Sequence, residues 1–259
     1  MSGRLKMAVI LAAAVLLGCI VFFIFFPEDN ILFKPIEDAL FIVFGLAAGI
    51  TGIYTFRKLG WRSKEGKVWL LLALGFLGWA VGEFLWLYNE VILEIEPFPS
   101  TADIAYLLAY IPLIIGLWIE YNIIKEAIVK KGLMKAVILT SIISIISAYF
   151  VLVPIITATD YDLLSKIVSL SYPIGDLLIL FPALIFIFVF KGAKMSRSWL
   201  FIAIALLLEV IADSSFAYLD WNELYSGTYL ILTDLAWLAG YALFAFGAYY
   251  HSLIIKGEA

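Results

Sequence analysis

Eight separate runs of this chain are each apolar for about 20 residues, the length an α-helix needs to cross a bilayer. They fall at roughly 7–26, 37–56, 68–89, 102–123, 134–155, 168–190, 198–219 and 230–252. In hydrocarbon every backbone amide must be bonded within its own segment, so the runs can only be helices. The fold class that follows is all-α: a polytopic membrane bundle of eight transmembrane helices arranged as four in-out-in hairpins. A mean hydropathy of +1.06 excludes an ordinary soluble domain. The longest cytoplasmic connection between runs, Arg57 to Lys67, is too short to fold alone, so residues 1–259 form a single integral membrane domain. The first run is longer than a signal-peptide core, and no small-x-small cleavage site follows it.

Charge fixes the expected orientation. Of the 17 Lys and Arg, one side takes Arg4, Lys6, Arg57, Lys58, Arg62, Lys64, Lys67, Lys125, Lys130, Lys131, Lys135, Lys191, Lys194, Arg197 and Lys256. Only Lys34 and Lys166 fall on the other. The positive-inside rule then places both termini in the cytoplasm of a multi-pass cell-membrane protein. The outer loops are acidic, with Glu28, Asp29, Glu90, Glu94, Glu96, Asp160, Asp162, Asp220 and Glu223.

Several chemistries are excluded. Cys19 stands alone, which rules out a disulfide framework and a thiolate cluster. His251 is the one histidine, which rules out a three-histidine zinc site in one chain. Haem is not expected with one histidine near the cytoplasmic end, nor a retinal Schiff base, because no lysine lies deep in the bundle. Phosphate loops, nucleophile elbows and nucleic-acid-binding patches are missing. Absent glutamine and Lys-rich loops fit a thermophile.

The polar residues that remain are acids where the chain re-enters the membrane from its outer side. Asp38, Asp103, Asp176 and Asp234 each sit near the start of such a helix. An aspartate there can cap free amides and meet the positive end of the helix dipole. Asp176, after Pro173 and Gly175, predicts a broken or late-starting helix lining a cavity. Glu83 lies about 24 Å from Lys67 and about 9 Å from Asn89 at 1.5 Å per residue, in the outer third of the bilayer. Asp213 has matching depth, and Glu209 lies one turn deeper on the same face. Buried acids of this kind are either ligand sites or neutral hydrogen-bonded links between helices.

Residues 69–121 and 199–252 read as a parallel repeat. Trp69 pairs with Trp199, Glu83 with Asp213, Trp86 with Phe216, Asp103 with Asp234, Tyr106 with Trp237, Tyr110 with Tyr241 and Gly116 with Gly247. Aromatics beside carboxylates favour organic cations. The expected ligand-binding set is therefore Glu83, Asp103, Asp176, Asp213 and Asp234 with Tyr106, Trp86, Tyr110 and Trp237. Glu83, Asp103, Asp213 and Asp234 are the candidate metal ligands, for a divalent or monovalent cation held by oxygen.

The stretch from Pro97 through Pro99-Ser100-Thr-Ala-Asp103-Ile-Ala-Tyr106-Leu to Gly116, with Tyr172-Pro173-Ile-Gly175-Asp176 and an upstream helix carrying Trp79 and Gly82, resembles a known pattern. It is similar to the uncharacterised multi-helix sensor modules that precede bacterial diguanylate cyclase and histidine kinase domains. No such output domain occurs in these 259 residues. The resemblance implies a stand-alone membrane sensor or binding module, with membrane lipid around it, a signalling partner and homo-oligomers among its expected associations. A shorter segment, Pro35 to Phe41, is similar to the Pro-x-Glu-Glu motif of membrane lycopene cyclases. Two other classes fit the acids: a cation- or proton-coupled transporter, and an intramembrane enzyme using carboxylates or a carboxylate-bound metal on a lipid or isoprenoid. The inner halves of the helices offer few polar groups for a transport path beyond Glu120, Thr140, Ser144 and Ser147.

Overall fold

In a computed structural model, residues 3–95, 98–159, 162–189 and 194–258 are described; for 194–196 only the backbone is. Glu96, Pro97, Asp160 and Lys191 lie outside them, as does the side chain of Lys194. The described residues form helices α1 (Gly3–Phe25), α2 (Phe33–Leu59), α3 (Lys64–Leu87), α4 (Thr101–Ile124), α5 (Lys130–Ser147), the short α6 (Val153–Thr157), α7 (Leu163–Val189), α8 (Lys194–Trp221) and α9 (Gly227–Ile255). They contain no strand. A π-helical turn, Ala148–Leu152, joins α5 to α6 into one span. Among these residues eight helices are long and apolar enough to cross a membrane.

The helices overrun the apolar runs because hydropathy reports only the part in hydrocarbon. The surplus turns are polar. Ser63 caps α3, its hydroxyl accepting from Gly66 N at 2.8 Å. Ser100 starts α4 in a capping box completed by Asp103. The largest discrepancy is at Asp176. Helix α7 begins at Leu163 and runs unbroken through Pro173 and Gly175. Gly175 does not break the helix there. It makes room for a neighbour, since a Cβ on it would lie 2.6 Å from the Tyr110 ring.

Six helices close into a ring: α2 packs on α3, α3 on α4, α4 on α7, α7 on α8, α8 on α9, and α9 back on α2. Helix α1 lies outside against α9, and α5 outside against α7. Both outliers turn most of their apolar surface outward, with Ile10, Leu11 and Ile24 of α1 and Ile142, Ile145 and Ile146 of α5 exposed. Apolar side chains facing outward are what a lipid environment rewards. Arg4 pairs with Glu258 at 2.7 Å, which places both termini at one end of the bundle. The opposite end is called the far end below.

Glycine sets the closest approach within the ring. Gly45, Gly49 and Gly52 of α2 face Ala80, Leu77 and Ala73 of α3, and a Cβ on Gly52 would stand 2.8 Å from that of Ala73. Small residues let helix backbones pack closely where no hydrophobic force drives association.

Candidate functional site

A cavity of about 580 Å³ enters the ring from the far end. It runs from Glu28, Asp220 and Tyr225 in the far-end loops and helix ends to Trp79, Glu209 and Tyr241 midway along their helices. Among the described residues its lining carries ten carboxyl groups, thirteen aromatic rings and one lysine, Lys34. Lys34 is already engaged by Glu90, which also accepts from Trp86 Nε1 at 3.2 Å. The π-helical turn Tyr88–Ile92 that extends α3 carries Glu90 to that position. Lys166, the other basic residue on this side, donates to the Ala158 carbonyl.

Two acids organise the centre. Glu83 on α3 accepts from Tyr106 OH on α4 and from Tyr241 OH on α9, each at 2.8 Å. Asp213 on α8 accepts from Trp237 Nε1 on α9 at 2.7 Å and from Tyr110 OH on α4 at 3.0 Å. Each acid thus takes one donor from the partner helix of its own hairpin and one from the other hairpin. The four donors occupy matching places in the two hairpins. Gly116 and Gly247 match as well: the first meets Leu71, Leu72 and the Val68 carbonyl, the second Phe201, Ile202 and the Ser198 carbonyl. Trp69 and Trp199 touch each other with ring centroids 5.5 Å apart. The contacts follow a twofold pattern around the centre of the ring.

Glycines seat the phenols. A Cβ on Gly82 would lie 2.5 Å from the Tyr106 ring, and Gly175 does the same for Tyr110. Tyr110 also donates to Asp176 at 2.6 Å. One phenol proton cannot serve both Asp176 and Asp213, and these two carboxyls also meet directly.

Asp103 is satisfied at both oxygens, by Ser100 N at 2.6 Å and by Tyr172 OH at 2.6 Å. The second bond joins the segments Pro99–Tyr106 and Tyr172–Asp176. Asp234 accepts from Tyr225 OH and lies within hydrogen-bonding reach of Glu37. Burial first, then the Asp234 carboxyl, holds the Tyr225 phenol well above its usual pKa, so it stays a donor.

Of the expected binding residues, Glu83, Asp103, Asp213, Asp234, Trp86, Tyr106, Tyr110 and Trp237 all line the cavity. Asp176 sits behind Tyr110. The candidate metal ligands do not converge. Among the described residues no three of His, Cys, Asp and Glu are arranged to hold a metal ion. Glu83, Asp103 and Asp213 each have both oxygens bonded to phenol, indole or backbone donors, which leaves Asp234 alone of the four with an oxygen that no such donor reaches.

The sequence reading named Asp38 and Glu209 but left them, with Glu37, Tyr172, Tyr225 and Tyr241, outside the expected binding set. One signal was available. Pro35-Ile-Glu-Asp38 and Pro173-Ile-Gly-Asp176 share a Pro-Ile-x-Asp pattern. The aspartate of each is electrostatically close to a central acid, Asp38 to Glu83 and Asp176 to Asp213.

Below the cavity the ring is filled. Trp79 and Tyr241 rest on Phe76, which stacks on Phe244 at 3.8 Å. Trp69 packs against Phe244, against Trp199 and against His251, whose ring centroid is 4.7 Å away. His251 Nδ1 and Ser198 Oγ are 2.8 Å apart.

Comparison with protein-family models, curated proteins and solved structures finds no match to this chain.

Proposed function

We propose that this chain is a membrane binding module that takes a positively charged ligand into the far-end cavity and acts as a stand-alone sensor. The observation that carries this reading is the balance of the lining: ten carboxyl groups against one already paired lysine, on aromatic walls. Carboxylates in a low-dielectric site attract a cation far more strongly than in water, and aromatic faces add to that attraction. The positive-inside distribution supports placing the far end outside the cell and the termini in the cytoplasm. The resemblance of Pro99–Tyr106 and Tyr172–Asp176 to bacterial sensor modules supports the same assignment. A ligand between the two hairpins changes their packing, and a partner at the basic cytoplasmic loops reads the change.

The test is thermal unfolding of the purified chain at constant ionic strength with tetramethylammonium, choline, butylamine, spermidine, sodium and magnesium. At least one organic cation raises Tm by several degrees, and Asp234→Asn weakens that response. A flat response to every cation overturns the reading.

A second reading, cation transport, draws support from the twofold pattern, since transporters place sites between repeats. The aromatic fill beneath the cavity opposes it. Ion flux into proteoliposomes decides between them.

A further inference from the structure

Seven of the ten carboxyls around the cavity divide into two kinds. Glu83, Asp103 and Asp213 have both oxygens occupied by protein donors. Four others keep a buried oxygen that no phenol, indole, lysine or backbone donor reaches: Glu37 Oε1, Asp38 Oδ2, Glu209 Oε1 and Asp234 Oδ2, with Glu37 and Asp234 in hydrogen-bonding reach of one another. All four line the cavity. Asp38, Glu209 and Asp234 are 5%, 4% and 1% exposed. A buried acceptor without a donor is costly, on the order of 1–3 kcal/mol. The satisfied acids are the frame, and the orphaned oxygens are where a ligand donor belongs.

These oxygens lie at two depths. Glu37 and Asp234 face one another, and Asp38 is next to Glu37 in the chain. They form an upper station near the mouth. Glu209 Oε1 lies alone against α9 at Gly240, 2.2 Å from where a Cβ there would stand. Gly240 follows Asp234 by six residues, so at 1.5 Å per residue the lower station is about 9 Å deeper. The wall between is aromatic: Phe41 and Trp237 meet edge to face at 6.0 Å, and Trp79 and Tyr241 sit near the floor.

We infer that the ligand is a linear aliphatic polyamine, with one ammonium group at the Asp38, Glu37 and Asp234 station, a second at Glu209, and its methylene chain along the aromatic wall. This rests on the cation-binding reading and names its ligand class. Orphaned acceptors call for hydrogen-bond donors, and a quaternary ammonium centre has none. A metal ion requires three or more oxygens at bonding distance from one point, and no three carboxyls of the described residues are so arranged. A single amine fills one station and leaves the other empty. Two charged groups joined by a chain of the right length gain through effective concentration.

The experiment is calorimetric titration of the full chain in nanodiscs with butylamine, choline, spermidine and a series of α,ω-diaminoalkanes. Diamines bind about tenfold or more tighter than butylamine, with an optimum chain length in the series. Glu209→Gln brings the best diamine down to the affinity of butylamine and leaves butylamine unchanged. Asp38→Asn weakens both. Glu120→Gln, a buried acid outside the cavity, changes neither. Butylamine or choline binding as tightly as every diamine overturns the two-station inference while leaving the cation reading intact. Binding of no amine and no choline overturns both. Should Glu209→Gln fail to fold, the chain-length series on the unaltered protein still decides: no optimum, no second station.

Discussion

Tyr110 is the residue on which the centre depends most. Its single hydroxyl sits 2.6 Å from Asp176 and 3.0 Å from Asp213, and no phenol, indole or backbone donor reaches the remaining oxygen of Asp176. Tyr241 serves only Glu83, whose other oxygen keeps Tyr106. Removing a hydroxyl leaves buried acceptors unsatisfied, and the loss scales with how many are stranded. Tyr110→Phe therefore destabilises the protein by about 2–3 kcal/mol and Tyr241→Phe by about 1 kcal/mol. Thermal or denaturant unfolding in one detergent ranks them, and equal losses would show that the Asp176 contact contributes nothing. The residue scale also shows what sequence could not reveal. Acids and aromatics at the outer helix ends were legible, but their division into satisfied and orphaned was not, because it depends on which phenol crosses to which helix. Glu83 and Asp213 stand out in sequence for being buried charges. In the fold they are tied up, and the less conspicuous Asp38 and Glu209 keep open oxygens.

At the scale of helices, packing is set by glycine and alanine more than by large side chains. The seam between α2 and α3 runs through Gly45, Gly49 and Gly52, and Gly52 meets Ala73 with both the Cβ and the backbone of that residue close. Neither contact can yield without moving a helix. Gly52→Ala costs about 1–3 kcal/mol, the usual loss on overpacking. Gly18 on α1 has nothing within 4 Å of its Cβ position, so Gly18→Ala is neutral or slightly stabilising. Thermal unfolding of the pair gives the answer, and a Gly52→Ala protein as stable as the parent would mean that the α2 and α3 seam is loose. Element positions were largely legible, since all eight apolar runs became helices. The reading failed where it relied on local propensity. Pro173 and Gly175 look like a break, yet α7 continues through them, because Gly175 answers to the Tyr110 ring on a neighbouring helix. A single chain read in order carries no mark of that neighbour.

At the scale of the molecule, six helices close a ring and two ride outside it, an arrangement that hydropathy cannot distinguish from eight equal members. The twofold pattern was visible in part. The match of α3 and α4 with α8 and α9 lies in the sequence, whereas the crossing of Tyr110 and Tyr241 between hairpins appears only in three dimensions. The cavity's biology turns on which way the ring faces. The Arg4 pairing with Glu258 fixes the termini at one end and the cavity at the other, so one accessible site per end settles the matter. Cys19 is buried at 3% exposure and reacts poorly with a polar reagent. Asp29 in the loop between α1 and α2 is exposed at the far end, and Lys64 at the start of α3 is exposed at the end of the termini. In intact cells a membrane-impermeant maleimide labels Asp29→Cys and leaves Lys64→Cys untouched until the membrane is opened. The reverse pattern would turn the cavity toward the cytoplasm, set the positive-inside rule against the charge count, and make the ligand an intracellular one.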